Sequence, residues 1–136
     1  MDRLDKQTRS ALMGRIHSRN TKPELTLRKM LYRMGYRYRL HRADLPGSPD
    51  IVFPGRRKVI FVHGCYWHRH RCRRGRSMPT TRIAFWDEKF TRNRERDRTA
   101  RRRLRRSGWA VLVVWECQLR DLDRVARRCV EFLGVE

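Results

Sequence analysis

Acidic residues are scarce in this chain: 14 Asp and Glu stand against 35 Lys and Arg, which leaves a formal charge of +21 over 136 residues. Lysine is scarce as well, with five Lys beside thirty Arg. A protein this positive repels itself unless it works against a polyanion. The Arg surplus points to phosphate, which the flat guanidinium fork can grip through two parallel N–H bonds. No apolar run approaches the roughly 18 residues of a membrane span. The first 30 residues lack a secretory h-region, so the cytosol is the expected compartment. Internal repeats and Gly/Ser linkers are also missing, and the length suits one domain. In a reducing compartment the four Cys read as metal ligands or core thiols before disulfides.

What is present supports a folded domain behind a basic arm. Hydrophobic residues make up 39% of the chain, enough for a core if they segregate. Residues 1–20 are polar and basic, an arm expected to order on its partner; a single domain is expected over 21–136. Thr21-Lys22-Pro23-Glu24 is a capping-box pattern. Leu27, Met30, Leu31 and Met34 then share one helical face, and Gly35 stops the helix. Tyr36 to Leu40 alternates as a half-buried strand. After the Pro/Gly loop Asp44–Asp50, Ile51-Val52-Phe53 and Val59-Ile60-Phe61-Val62 read as a hairpin turned at Pro54-Gly55. Ile83 to Arg106 reads as a long helix ended by Gly108. Trp109 to Trp115 is the most apolar stretch and is expected to be a central strand. Leu122, Val125, Cys129 and Phe132 form a last amphipathic face. The expected fold is α/β, a single mixed sheet flanked by helices.

Chemistry concentrates in His63-Gly64-Cys65-Tyr66-Trp67-His68-Arg69-His70-Arg71-Cys72. Soft sulfur and imidazole at this spacing suit tetrahedral Zn. Cys65, His70 and Cys72 supply three ligands, and Cys117, just past the apolar strand, is the best fourth. Cys129 lies on an apolar helix face and reads as a core thiol. The bland alternative is a reduced Cys/His loop without metal. His68 is left over, either a general base or acid or an unused imidazole on a basic loop. Asp50 follows Pro49 at a strand start. It reads equally as a Mg²⁺-holding carboxylate or as a turn residue. Tyr66, Trp67, Phe85 and Trp86 lie among Arg and Thr, as base-unstacking wedges do. Of Phe85 and Trp86, one is expected in the core and one exposed; Trp109 and Trp115 are expected in the core. Nine Arg between Arg92 and Arg106 read as a phosphate-backbone contact.

Several pieces, in this order and at like spacing, resemble one family. They are Leu45-Pro46-Gly47-Ser48-Pro49-Asp50, the run Phe61-Val62 through Cys72, Phe85-Trp86, Asn93-Arg94-Glu95-Arg96-Asp97 and Val114-Trp115-Glu116-Cys117. The family is the very-short-patch mismatch repair endonucleases (Vsr type) of bacteria. The opening Asp5–Ser10 and Met13 resemble its N-terminal arm. The resemblance implies a restriction-endonuclease-like, PD-(D/E)xK fold with a structural Zn. It implies a strand-specific nickase that cuts 5′ of the T in a T:G mismatch left by deamination of 5-methylcytosine. It implies Mg²⁺ held by Asp50 and the Val62 backbone carbonyl, and His68 as the catalytic imidazole. Cys65, His70, Cys72 and Cys117 would bind Zn, while His63, Glu24 and Asp97 would be further active-site residues. Tyr66, Trp67 and Trp86 would form the wedge beside the mismatch, Met13 would enter from the other groove, and Lys89 and Asn93 would read the mismatched bases. The wider fold carries Glu-x-Lys on the strand after its Asp; here Val62 stands in that neighbourhood and no Lys follows. Tyr66 stands where Phe is familiar. The implied partners are T:G-containing duplex DNA, bound by a monomer, and mismatch-repair proteins. The competing readings are a catalytically inactive, zinc-stabilised DNA-binding module and a basic RNA-binding protein.

Overall fold

The structure is a computed structural model that describes residues 20–65, 70–72, 75, 76, 78 and 81–135. The elements run α1 (Lys22–Arg33), β1 (Arg39–Leu40), β2 (Ile51–Phe53), β3 (Lys58–His63), α2 (Ile83–Arg106), β4 (Ala110–Trp115) and α3 (Leu122–Leu133), with short 3₁₀ turns at Pro54–Arg56 and Glu116–Arg120. The sheet order is β1-β2-β3-β4. β1 and β2, and β2 and β3, pair antiparallel; β3 and β4 pair parallel across α2. The sheet is therefore mixed and α/β, as the element order predicts.

Strand alternation decides which helix covers which face. Ile51, Phe53, Ile60 and Val114 turn to one side, where Leu27 and Leu31 of α1 and Val125, Cys129 and Leu133 of α3 close over them. Val52, Val59 and Phe61 turn to the other side, against Leu104 near the end of α2 and Trp109 just before β4. The result is three layers, with α1 and α3 below the sheet and α2 above it.

Four expectations need correction. The apolar strand β4 pairs only with β3 among the described residues and lies at the sheet edge. Its apolar run reflects cover on both faces, since Leu112 and Val114 pack with one core cluster and Val111 and Val113 with the other. The stretch Tyr36–Leu40 pairs only at Arg39 and Leu40, although Tyr36 is buried. Leu122 is 40% exposed; Leu133, at the far end of α3, takes its place in the core. Neither Phe85 nor Trp86 belongs to the core: Phe85 is 43% exposed and Trp86 half-buried against Phe90, with ring centroids 6.0 Å apart.

The loop before β2 rests on α2 through Gly47. Its φ is +76°, and a Cβ there would stand 2.7 Å from the Ala100 Cβ and 3.2 Å from the Phe61 ring. Gly47→Ala should therefore cost about 2–4 kcal/mol, the sum of a left-handed backbone penalty and overpacking. Urea unfolding checks this; a variant as stable as the parent would mean that the loop is free to lift off α2.

Candidate active site and metal centre

Parallel strands deliver their C-terminal ends to one edge of the sheet. His63 of β3 pairs with Trp115 of β4, so the residues two steps beyond, Cys65 and Cys117, leave the sheet side by side. The Cys117 N–H points to the Cys65 Sγ at 3.4 Å, and the Cys65 N–H donates to Glu116 Oε1 at 3.3 Å. The His70 N–H donates to the Cys65 carbonyl at 3.1 Å. Its ring stacks on Trp115 at 4.4 Å between centroids, 17° from parallel. The ligand atoms of Cys65, His70, Cys72 and Cys117 all lie within 4.8 Å of one another. His70 Nδ1 is 3.8 Å from Cys65 Sγ and 3.4 Å from Cys117 Sγ. Sulfur at about 2.3 Å and nitrogen at about 2.0 Å from a tetrahedral ion stand about 3.5 Å apart, so the cluster has the dimensions of a four-ligand metal site. Burial pushes the Cys65 thiol up to about 12 and raises that of Cys117. A metal ion has to displace those protons, which makes binding pH-dependent. Cys129 is fully buried in the apolar core, and burial raises its thiol to about 11.

Antiparallel pairing of β2 with β3 brings Asp50 to the same edge. Ile51 faces Ile60, so Asp50, one residue earlier, lies beside the outgoing end of β3. Its Oδ2 accepts the Val62 N–H at 2.7 Å. Asp50 is 9% exposed, and Glu24 of α1 is 1% exposed beside it. The carboxyl of Asp50 is raised to about 7, first by burial and then by the charge of Glu24, against the pull of the Val62 N–H. His41 joins them, and the ligand atoms of Glu24, His41 and Asp50 lie within 4.8 Å of one another. Two buried carboxylates this close together, with an imidazole beside them, are an arrangement that can take a cation. Val62 presents its N–H to Asp50 and is half-buried.

Glu24 departs from the capping-box pattern. Thr21 Oγ1 does accept the Glu24 N–H, at 3.4 Å. The Glu24 carboxylate does not return to Thr21. It accepts the Asn20 N–H at 3.2 Å, the Arg28 Nη1 at 2.8 Å and His41 Nε2 at 2.9 Å. The residue that reads as a helix cap is thus turned inward to the acid pair.

His63 is buried, with its ring 5.1 Å edge-on from Trp115 and 5.6 Å from Phe61. On α2, Asn93 and Asp97 are half-buried and share a helical stripe with buried Phe90, Ala100 and Leu104. The Asn93 side chain accepts from Arg96. Lys89 is exposed, with its ammonium 5.2 Å over the Trp86 ring. Arg82 covers Phe85 at 4.5 Å, so the start of α2 is an exposed aromatic surface framed by cations. Farther along, Arg98, Arg101, Arg102, Arg105 and Arg106 line an open groove. Met13, Tyr66, Trp67 and His68 lie outside the described residues.

Sequence reading missed His41, Trp115 and Glu116 as parts of the site. Trp115 is half-buried rather than core, since it stacks on one histidine and meets another edge-on. Glu116 was legible as a neighbour of Cys117. His41 carried no spacing signal, because it meets Glu24 and Asp50 only when the chain folds back on itself.

A Xanthomonas oryzae pv. oryzae protein, "Type II nicking enzyme V.XorIIP", is 50% identical over 127 residues, 93% of this chain and 93% of its own length. The Escherichia coli K12 "DNA mismatch endonuclease Vsr" is 46% identical over 121 residues, 89% of this chain and 77% of its own. A Neisseria meningitidis "Type II nicking enzyme V.NmeAIP" is 44% identical over 113 residues, 83% and 80%. Residues 1–74 match the family described as "DNA mismatch endonuclease Vsr", and on these grounds the chain belongs to the Vsr family.

Proposed function

We propose that this protein is a strand-specific DNA endonuclease that nicks 5′ of the T in a T:G mismatch by Mg²⁺-dependent hydrolysis, on a restriction-endonuclease-like fold. The observation that carries the reading is the buried Asp50–Glu24 pair at the outgoing end of β3, beside a four-ligand soft-metal cluster on the same edge. Glu24 is already paired with Arg28 at 2.8 Å, whereas burial raises the Asp50 carboxyl beside it to about 7, and a divalent cation would offset that desolvation. Asp50 and the Val62 carbonyl would hold Mg²⁺, which supplies charge stabilisation and a more acidic water when bound. The protein's own residues do the rest. Glu24 completes the acidic wall. His63 and His68 carry imidazoles for proton transfer, with His68 as the base, and Asp97 orients the site from α2. Tyr66, Trp67 and Trp86 form a wedge, with Met13 entering from the opposite groove. A mismatched pair unstacks more cheaply than a matched one, so insertion selects it by deformation energy. Lys89 and Asn93 read the opened bases, and the Arg face of α2 grips the phosphate backbone. Zn²⁺ on Cys65, His70, Cys72 and Cys117 would staple the loop after β3 to the end of β4; these ligands fit by donor type and spacing.

The experiment is single-turnover nicking of a labelled T:G duplex against its T:A control, with Mg²⁺ and with EDTA. The expected result is one cut on the T strand, only with the mismatch and only with Mg²⁺. Tight T:G binding with no cut under any divalent metal would favour an inactive DNA-binding module and end the endonuclease reading.

A further inference from the structure

His41 sits at the junction of both halves of the acid pair. Its main-chain N–H donates to the Asp50 carbonyl at 3.2 Å. Its side chain reaches the other acid: Nε2 is 2.9 Å from each Glu24 carboxylate oxygen. A carboxylate only accepts, so the N–H sits on Nε2 and is shared between the two oxygens. The His41 backbone is left-handed, with φ at 49°. Such a conformation is costly for any residue but glycine, is tolerated best by Asn, Asp and His, and recurs at functional sites. Here it ends β1 just after Leu40 pairs with Ile51 and turns the imidazole onto the first turn of α1.

The alternatives open to Glu24 give this contact its meaning. At the first turn of a helix a glutamate returns to backbone N–H groups, and the Asn20 N–H and Arg28 guanidinium draw Glu24 that way. Both are on the α1 side. His41 reaches Glu24 from the sheet side, as the Asp50 side chain does, and its own main chain is tied to the residue that carries the other acid. It therefore ties the Glu24 carboxylate to the strand that carries Asp50.

We propose that His41 is a positioning residue that fixes Glu24 toward Asp50, so that the two carboxylates together receive one divalent cation. The proposal rests on the reading of Asp50 as the catalytic-metal carboxylate. His41 does not need to touch the ion or the DNA. Its N–H fixes the orientation of Glu24, as partners behind metal ligands commonly do at the level of roughly 10–100-fold in affinity or activity.

The test uses the full chain and Mn²⁺ alone as the probe. Loss of the free Mn²⁺ electron-spin signal gives affinity, Mg²⁺ titration of T:G nicking gives the metal midpoint, and thermal melts report folding. The parent should bind Mn²⁺ and Asp50→Ala should not; retention by Asp50→Ala overturns the metal reading and the proposal with it. Given that result, His41→Ala should weaken Mn²⁺ binding roughly tenfold or more and raise the Mg²⁺ midpoint similarly, while the rate at saturating Mg²⁺ changes less. His41→Gln places an amide N–H at similar reach and should restore most of both. His41→Asn keeps a residue that suits the left-handed backbone but is too short, so it should fold and behave like His41→Ala. The Gln/Asn pair carries the test if His41→Ala fails to fold. Parent-like Mn²⁺ affinity in His41→Ala or His41→Asn overturns the proposal. So does a folded His41→Gln as weak as His41→Asn, because the donor would then be irrelevant.

Discussion

Asp50→Asn should abolish Mg²⁺-dependent nicking while making the metal-free protein more stable at neutral pH. The wild-type carboxyl is buried against Glu24 and titrates near about 7, whereas an unfolded Asp titrates near about 3.9. Because the folded value is the higher one, the folded state holds this proton more tightly. Below about pH 4 the carboxyl is protonated in both states and folding loses nothing. As pH rises from about 4 to about 7 the unfolded chain releases the proton first, and stability falls. Above about pH 7 the full penalty, of order 4 kcal/mol at a shift of about three units, is present and stays constant. Asn resembles the protonated acid: its Oδ1 can accept the Val62 N–H and its amide can donate to Glu24. Urea unfolding without divalent ions should therefore show the variant gaining over the parent between pH 4 and pH 8, with no gain at the acid end. Saturating Mg²⁺ should stabilise the parent and leave the variant unmoved. A variant less stable than its parent at pH 8 would mean that Asp50 is a turn residue held by the Val62 N–H, and not a carboxylate kept strained for a cation.

Cys117→Ala should remove the metal and much of the stability together. The parent is expected to carry about one Zn per chain. Free energy of binding at such a site counts directly toward folding. The site joins the ends of β3 and β4, and β4 has no other strand partner among the described residues. Without the ion, the Cys65 thiol, raised by burial, is left as a neutral group that holds the loop weakly. A fall in melting temperature on the order of 10 °C is expected, from a loss of a few kcal/mol in a domain of this size. Cys129→Ala is the control. It removes a thiol from the apolar core and should keep its metal at a cost of about 1 kcal/mol. Metal analysis by mass spectrometry with paired melts decides: full Zn in Cys117→Ala would remove Cys117 from the ligand set.

The two clusters differ in how legible they were. Cys65, His70 and Cys72 lie within eight residues of one another, so the chain cannot carry them far apart, and Cys117 was readable because it leaves an apolar strand. The acid cluster draws on positions 24, 41 and 50, which come from a helix, a strand end and a loop. Glu24 matched a capping pattern, a local signal that is real for Thr21 and misleading for the carboxylate. His41 gave no signal at all. Its role depends on a left-handed turn after β1 and on α1 packing below the sheet, neither of which has a local pattern. The placement of β4 failed for a different reason. Hydrophobicity reports how many faces of a strand are covered, and both faces of β4 are; it does not report how many strands lie beside it.

The amino-acid order by itself determined the polyanion-binding charge, the sequence of helices and strands, and the soft-ligand set. These follow from composition and from contacts between residues near in the chain, which periodicity and spacing encode. Only the tertiary structure decided that Glu24 faces Asp50, that His41 meets Glu24, that Trp115 stands beside two histidines, and that both clusters share one edge of the sheet. Those facts depend on strand register and on the direction of β3 relative to β2 and β4. Register is set by the simultaneous packing of both sheet faces against three helices, a many-body condition that no short window of sequence contains.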